Sequence, residues 1–142
     1  MNIKQALKEK NKVVNKNAEN LERLQKYNSI EVESERAYDP RKSMEDLING
    51  VNELVELKTS IHKANIKVYD KIFRLSELKS LAKQLKTIDC SSGKIHSYRG
   101  MEPVVKKSEI SFVERDLLVK KLEAEIEIIQ DELDTHNAKT KI

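Results

Sequence analysis

The sequence predicts an all-α protein: an antiparallel helical bundle or coiled coil of three to four helices, with one irregular segment before the last of them. Three observations carry this. Apolar residues recur at three- and four-residue steps along most of the chain. Charged residues make up 36% of the 142 positions, mostly Lys and Glu set among Leu and Ile, while hydrophobic residues reach 38% and aromatics only 4%. That composition suits long helices with narrow cores better than a broad globular interior. The helix breakers are few, and two of the three glycines and the second proline fall together between residues 90 and 112.

The first helix is expected over about 3–27. Ile3, Leu7, Val14, Leu21 and Leu24 form its stripe, widened by Ala6, Val13 and Ala18. Asn17 lies on the same stripe, where a polar residue commonly sets register at some cost in stability. Periodicity lapses from Asn28 to Tyr38, which reads as a loop or short extended connector. Asp39-Pro40 restarts a helix, because Asp39 can accept from an exposed N–H of the first turn while Pro40 has no N–H where none is needed.

The second helix, about 40–64, carries Met44, Leu47, Ile48, Val51, Leu54, Val55 and Ile61. The third, about 68–88, carries Val68, Ile72, Leu75, Leu78, Leu81, Leu85 and Ile88. An unbroken helix from Pro40 to Ile88 would be about 70 Å long at 1.5 Å per residue. β-branched Ile66 and Val68 beside Asn65 favour a kink or break instead. The segment 90–112 is irregular, with β-like content at Lys94–Tyr98 and Val104–Phe112 that suggests a short β-ribbon. The last helix, about 113–136, uses Leu118, Leu122, Ile126, Ile129 and Leu133, and Leu117 and Ile128 broaden its face toward a bundle. All of this is expected to form a single domain.

Charge is unevenly spread. Met1 to Tyr27 holds seven basic and three acidic residues, Arg41 to Ile88 ten and six, and Ser108 to Ile142 five and nine. An acidic last helix can therefore pair favourably with either basic one.

The chemical readings are weaker. Zinc needs several Cys or His ligands at compatible spacing, and Cys90, His62, His96 and His136 are scattered, with only Cys90 and His96 close in sequence. A carboxylate-bridged metal site would need Glu-x-x-His, but Leu133 stands three before His136. Glu123, Glu125 and Glu127 alternate around their helix and read as a solvated face. Cys90-Ser91-Ser92-Gly93-Lys94 lacks phosphate-loop spacing and reads as a turn, and no dinucleotide-binding glycine pattern is present. No cofactor, no metal and no enzymatic activity are expected.

The longest apolar runs, such as Leu117-Leu118-Val119, fall far short of the roughly 20 residues of a membrane span. The first helix also lacks the aromatic anchors of a membrane-lying one, so no membrane partner is expected. MNIKQALKEK carries charges where a secretion signal would be apolar, and Cys90 has no second cysteine to pair with, so a cytoplasmic location is expected. A net charge of +3 and a pI near 8.8 are modest for a nucleic-acid binder, which makes nucleic acid a disfavoured partner.

The order of segments MNIKQALKEK, DPRKSMEDL, LVELKTSIHKAN, KIFRLSELKSLAKQL, SEISF and HNAKTKI resembles a bacterial family of unknown function often labelled septicolysin. The resemblance covers nearly the whole chain and implies a small cytoplasmic helical protein of coiled-coil type. Its recurrent asparagines match Asn65 and Asn137, which implies helix termination or inter-helix hydrogen bonding there. Members with a longer insertion after the first of these differ from this chain, which runs straight into IKVYDKIF. The pore-forming activity suggested by the label finds no secretion signal or aromatic-rich tip here.

The function expected from these readings is structural: a protein-interaction protein that self-associates through amphipathic helices, as a homo-oligomer and with room for another protein partner. Its candidate interaction loop comprises Cys90, Lys94, His96, Tyr98, Arg99, Lys106 and Lys107. Two alternatives stand beside it, a nucleic-acid-binding module using the basic helices and the loop around Tyr98, and an enzyme with a site in the 90–112 loop.

Overall fold

The computed structural model describes residues 1–95, 100 and 102–142. Its elements are α1 (Ile3–Tyr27), α2 (Pro40–Asn65), a 3₁₀ turn (Ile66–Val68), α3 (Tyr69–Leu85), β1 (Gly93–Ile95), β2 (Val104–Lys106) and α4 (Phe112–Lys139). The described chain is mostly helical, with one short antiparallel ribbon between α3 and α4. The expected break after Asn65 is the 3₁₀ turn. α3 stops at Leu85, three residues before the expected end, because the chain tightens there: the N–H of Thr87 donates to Gln84 O at 3.0 Å and that of Ile88 to Leu85 O at 3.2 Å. α4 runs three residues beyond its expected end.

Two compact units are formed, one by residues 1–67 and 135–142 and one by residues 68–134. In the first, α1 and α2 pack antiparallel. Asn2 starts α1 with a reciprocal cap, accepting from Gln5 N at 2.8 Å while Gln5 Oε1 accepts from Asn2 N at 3.0 Å. Asp39 caps α2 by accepting from Arg41 N at 3.0 Å, with Pro40 opening the helix as expected. Ile3, Ala6 and Ile61 form the buried core of this unit, with Leu7, Leu57 and Ala64 packed against it. Farther along α1 the buried residues are Val13 and Asn20, and on α2 they are Gly50 and Ser43.

At Gly50 the helices come so close that a Cβ there would lie 2.9 Å from Cγ of Asn17. The Asn17 carboxamide occupies the space that a side chain at position 50 would need, and this is how the polar residue on the α1 stripe is accommodated. The tail closes the same unit: Ile3 N donates to Thr140 O at 3.1 Å, Ile142 N to Met1 O at 3.0 Å and Asn2 Nδ2 to Ala138 O at 3.0 Å.

The second unit pairs α3 with α4, again antiparallel. Leu75, Leu78, Ile129 and Leu133 are buried together, with Val68, Ile72, Leu122 and Ile126 against them. The acidic helix lies along a basic one, as the charge distribution anticipates: Lys71 meets Glu132 at 2.9 Å, Arg74 meets Glu125 at 2.5 Å and Lys86 meets Glu123 at 2.8 Å. The Glu132 carboxylate accepts a hydrogen bond from Lys71 and raises its pKa above the ordinary lysine value. Exposed to solvent and screened by it, such pairs add little to stability and serve mainly to align the two helices.

Gly50→Leu should lower the unfolding free energy by roughly 1–3 kcal/mol in urea titration, the usual penalty of overpacking. The same substitution in an Asn17→Ala background should cost less, because the occupied space has been vacated. Equal costs in both backgrounds would disprove the contact as the reason for glycine.

Candidate functional site

The segment 90–112 is the first candidate, and its base is built on Asp89. Asp89 Oδ1 accepts from Ser91 N at 2.9 Å and from Ser91 Oγ at 2.5 Å, while Oδ2 accepts from Lys106 Nζ at 2.9 Å. Ser91 and Lys106 hold the Asp89 carboxyl well below the usual carboxylate range. Across the ribbon, Ser92 Oγ lies 2.8 Å from Ser108 Oγ and accepts from Ser108 N at 3.0 Å. The strands pair in the register Gly93 with Lys106, Lys94 with Val105 and Ile95 with Val104. Gly93 takes φ of +102°, a conformation that other residues rarely adopt, at the point where the chain turns into β1.

Of the seven residues expected in an interaction loop, Lys94, Lys106 and Lys107 are exposed. Lys106 is tied to Asp89. Cys90 is a correction to the expected exposed contact, since it is 2% exposed. The polar neighbours in sequence hid this; the Cys90 Sγ donates to Ile88 O at 3.6 Å. That same carbonyl accepts from Arg115 Nη1 at 3.1 Å. His96, Tyr98 and Arg99 lie outside the described residues.

No group of three or more His, Cys, Asp or Glu that could hold a metal occurs among the described residues. His136 Nδ1 lies 3.1 Å from Thr140 Oγ1, next to the tail contacts described above. Asn65 is the last residue of α2, consistent with a terminating role, and Asn137 falls in the last turn of α4.

The second candidate is a surface that sequence reasoning credited to the core. The buried line of α1 follows Ile3, Ala6, Val13 and Asn20, so Val14 and Leu21 fall to one side of it, 43% and 44% exposed. On α2 the buried line follows Ser43, Gly50 and Ile61, leaving Met44 at 44%, Ile48 at 56%, Val51 at 48% and Val55 at 58% exposed. In an antiparallel pair, residues that follow the seam by one position on each helix share one side. Val14, Leu21, Met44 and Val51 are such residues, and Ile48 and Val55 lie beyond them on the same side. The opposite side of the hairpin is polar, with Lys16, Asp46 and Glu53 around Asn17 and Gly50. The signal was present in the sequence as a stripe too wide for one seam to cover.

Family models, curated proteins and solved structures were all compared with the chain, and none matches it. No helix among the described residues is long and apolar enough to cross a membrane.

Because the folded Asp89 pKa lies below the ordinary 3.8, its charged form stabilises the ribbon base at every pH above that value. The contribution is lost as pH falls from there through the depressed value. The Ser91 amide resonance should therefore stay in place from neutral pH to about 4 and move only in stronger acid. Asp89→Asn should abolish that movement. Cys90 should react with a thiol-specific reagent at least about 100-fold more slowly in the folded protein than in urea, because the thiol must be uncovered first.

Proposed function

We propose that this is a structural or protein-interaction protein that self-associates through its amphipathic helices. The observation supporting the reading is the continuous apolar side of the α1–α2 hairpin, on which six side chains are 43–58% exposed. A chain with 36% charged residues that leaves such a patch bare departs from its own surface composition. Contiguous apolar patches larger than a few hundred Å² are rare on monomers, and the largest patch of a chain is often a functional one. The thin core of this hairpin adds weight, since its buried apolar residues, Ile3, Ala6, Val13 and Ile61, are fewer than those left exposed.

A helical bundle or coiled coil is the assembly this reading implies, the two hairpins being its building blocks. A cytoplasmic setting belongs to the same reading, as Cys90 is a free thiol suited to a reducing compartment. The resemblance to the septicolysin-labelled proteins implies a small helical protein of coiled-coil type and assigns no residue a role.

Sedimentation and light scattering should find a defined oligomer at micromolar concentration that dissociates on dilution. A monomer from about 1 to 100 μM, a range of nearly 3 kcal/mol in association free energy, would remove the proposal.

A further inference from the structure

Resting on the self-association proposed above, we infer that the partner of the α1–α2 apolar side is a second copy of this chain, placed across a two-fold axis so that α1 lies antiparallel on α1 and α2 antiparallel on α2. The first argument is size. Six side chains near half exposure present apolar surface on the order of 500 Å², about what a standard interface of about 800 Å² per partner contains at a little over half apolar. One further pair of helices would cover it, converting two hairpins with thin cores into one four-helix assembly.

The second argument is the lack of charge. The positions facing this side read Leu7, Asn11, Val14, Ala18 and Leu21 on α1, and Met44, Ile48, Val51 and Val55 on α2. On α2 the run Met44, Leu47, Ile48, Val51, Leu54 and Val55 carries no charge, and on α1 the facing positions 7, 10, 11, 14, 17, 18 and 21 carry only Lys10, which matches the charge depletion of an interface centre. The α3–α4 hairpin differs, because Lys71, Arg74 and Lys86 pair there with carboxylates of α4.

The third argument chooses the orientation. At the margins of the patch, α1 has Lys8 near its start and Glu22 near its end, and α2 has Glu45 near its start and Lys58 near its end. All four are exposed, and none of them takes part in the ion pairs found among the described residues. A two-fold axis crossing the helices near Val14 and Val51 brings Lys8 of one copy to Glu22 of the other, and Glu45 to Lys58. The other face-to-face arrangement, with α1 on α2 and like ends together, sets Glu22 toward Glu45 and Lys8 toward Lys58. The four charges are complementary only in the first.

The test uses the full chain. Val51→Asp should raise the dimer dissociation constant at least about 100-fold in sedimentation equilibrium, with the helical circular dichroism retained because Val51 is exposed. Ile128→Asp, at an exposed position of α4 in the other unit, should leave it within about threefold. In a Cys90→Ser background, Val51→Cys should oxidise to a disulfide-linked dimer, and Lys16→Cys on the polar side should not. Lys8→Glu and Glu22→Lys should each weaken the dimer, and the two together should restore it, as should the pair Glu45→Lys with Lys58→Glu.

A wild-type oligomer that survives Val51→Asp and yields no Val51 cross-link would overturn this interface while leaving self-association standing. Dissociation by Val51→Asp without rescue by either charge swap would overturn the antiparallel arrangement. A wild-type chain that is monomeric throughout would sink both readings and leave the patch to a different protein.

Discussion

The approach of α1 to α2 at Asn17 and Gly50 is the constraint on which the first hairpin depends. Where the helices touch at Gly50 the Asn17 carboxamide fills the space between them; Val13 is buried within the seam, while Val14, Leu21, Met44 and Val51 sit beside it. At one end Ile3, Ala6 and Ile61 still form a closed core, and there the tail adds Thr140 and Ala138 as backbone acceptors. Toward the middle the contact is made by small and polar groups, including buried Asn20. The result is a hairpin with its register set by shape and polarity and much of its hydrophobic surface left at the flank.

The α3–α4 pair solves the same packing problem differently. Its seam is Leu and Ile, which interdigitate at ordinary helix separation and bury themselves. Lysine, arginine and glutamate then span the flanks, with their aliphatic stems over the seam and their charged ends in water. The ion pairs contribute little energy singly, but they align a basic helix with an acidic one and disfavour its pairing with another basic segment. Both hairpins leave apolar side chains exposed, Phe73, Leu117 and Ile128 at 60–63% in the second, and what separates them is the set of ion pairs that crosses from α3 to α4.

Between α3 and α4 the ribbon is held at its base by a handful of polar contacts. Asp89 gathers Ser91 and Lys106, and Ser92 meets Ser108, so that the two strands leave from fixed points although only three residues pair on each. Cys90, between Asp89 and Ser91, is buried although its neighbours Ser91 and Ser92 suggest a surface position. The exposed lysines at positions 94 and 107 remain the accessible part of the expected loop.

Helix content, the Asp39-Pro40 start, the break after Asn65 and the pairing of an acidic helix with a basic one are local matters. They depend on residue spacing, on caps and on charge sign, all of which can be read along one dimension. Which apolar residues are covered is different, because it depends on where two seams meet: Val14, Leu21, Met44 and Val51 belong to recognisable helical stripes, yet they are exposed because Asn17, Gly50, Asn20 and Ser43 take the seam. In the same way Cys90 is buried although its neighbours in sequence are polar, and residues 106–108, far along the chain, fold back onto Asp89 and Ser92. The sequence by itself determined what each helix could bury; only the tertiary structure decided which side of it was buried, since that choice rests on the distance at which the smallest facing residues let two backbones approach.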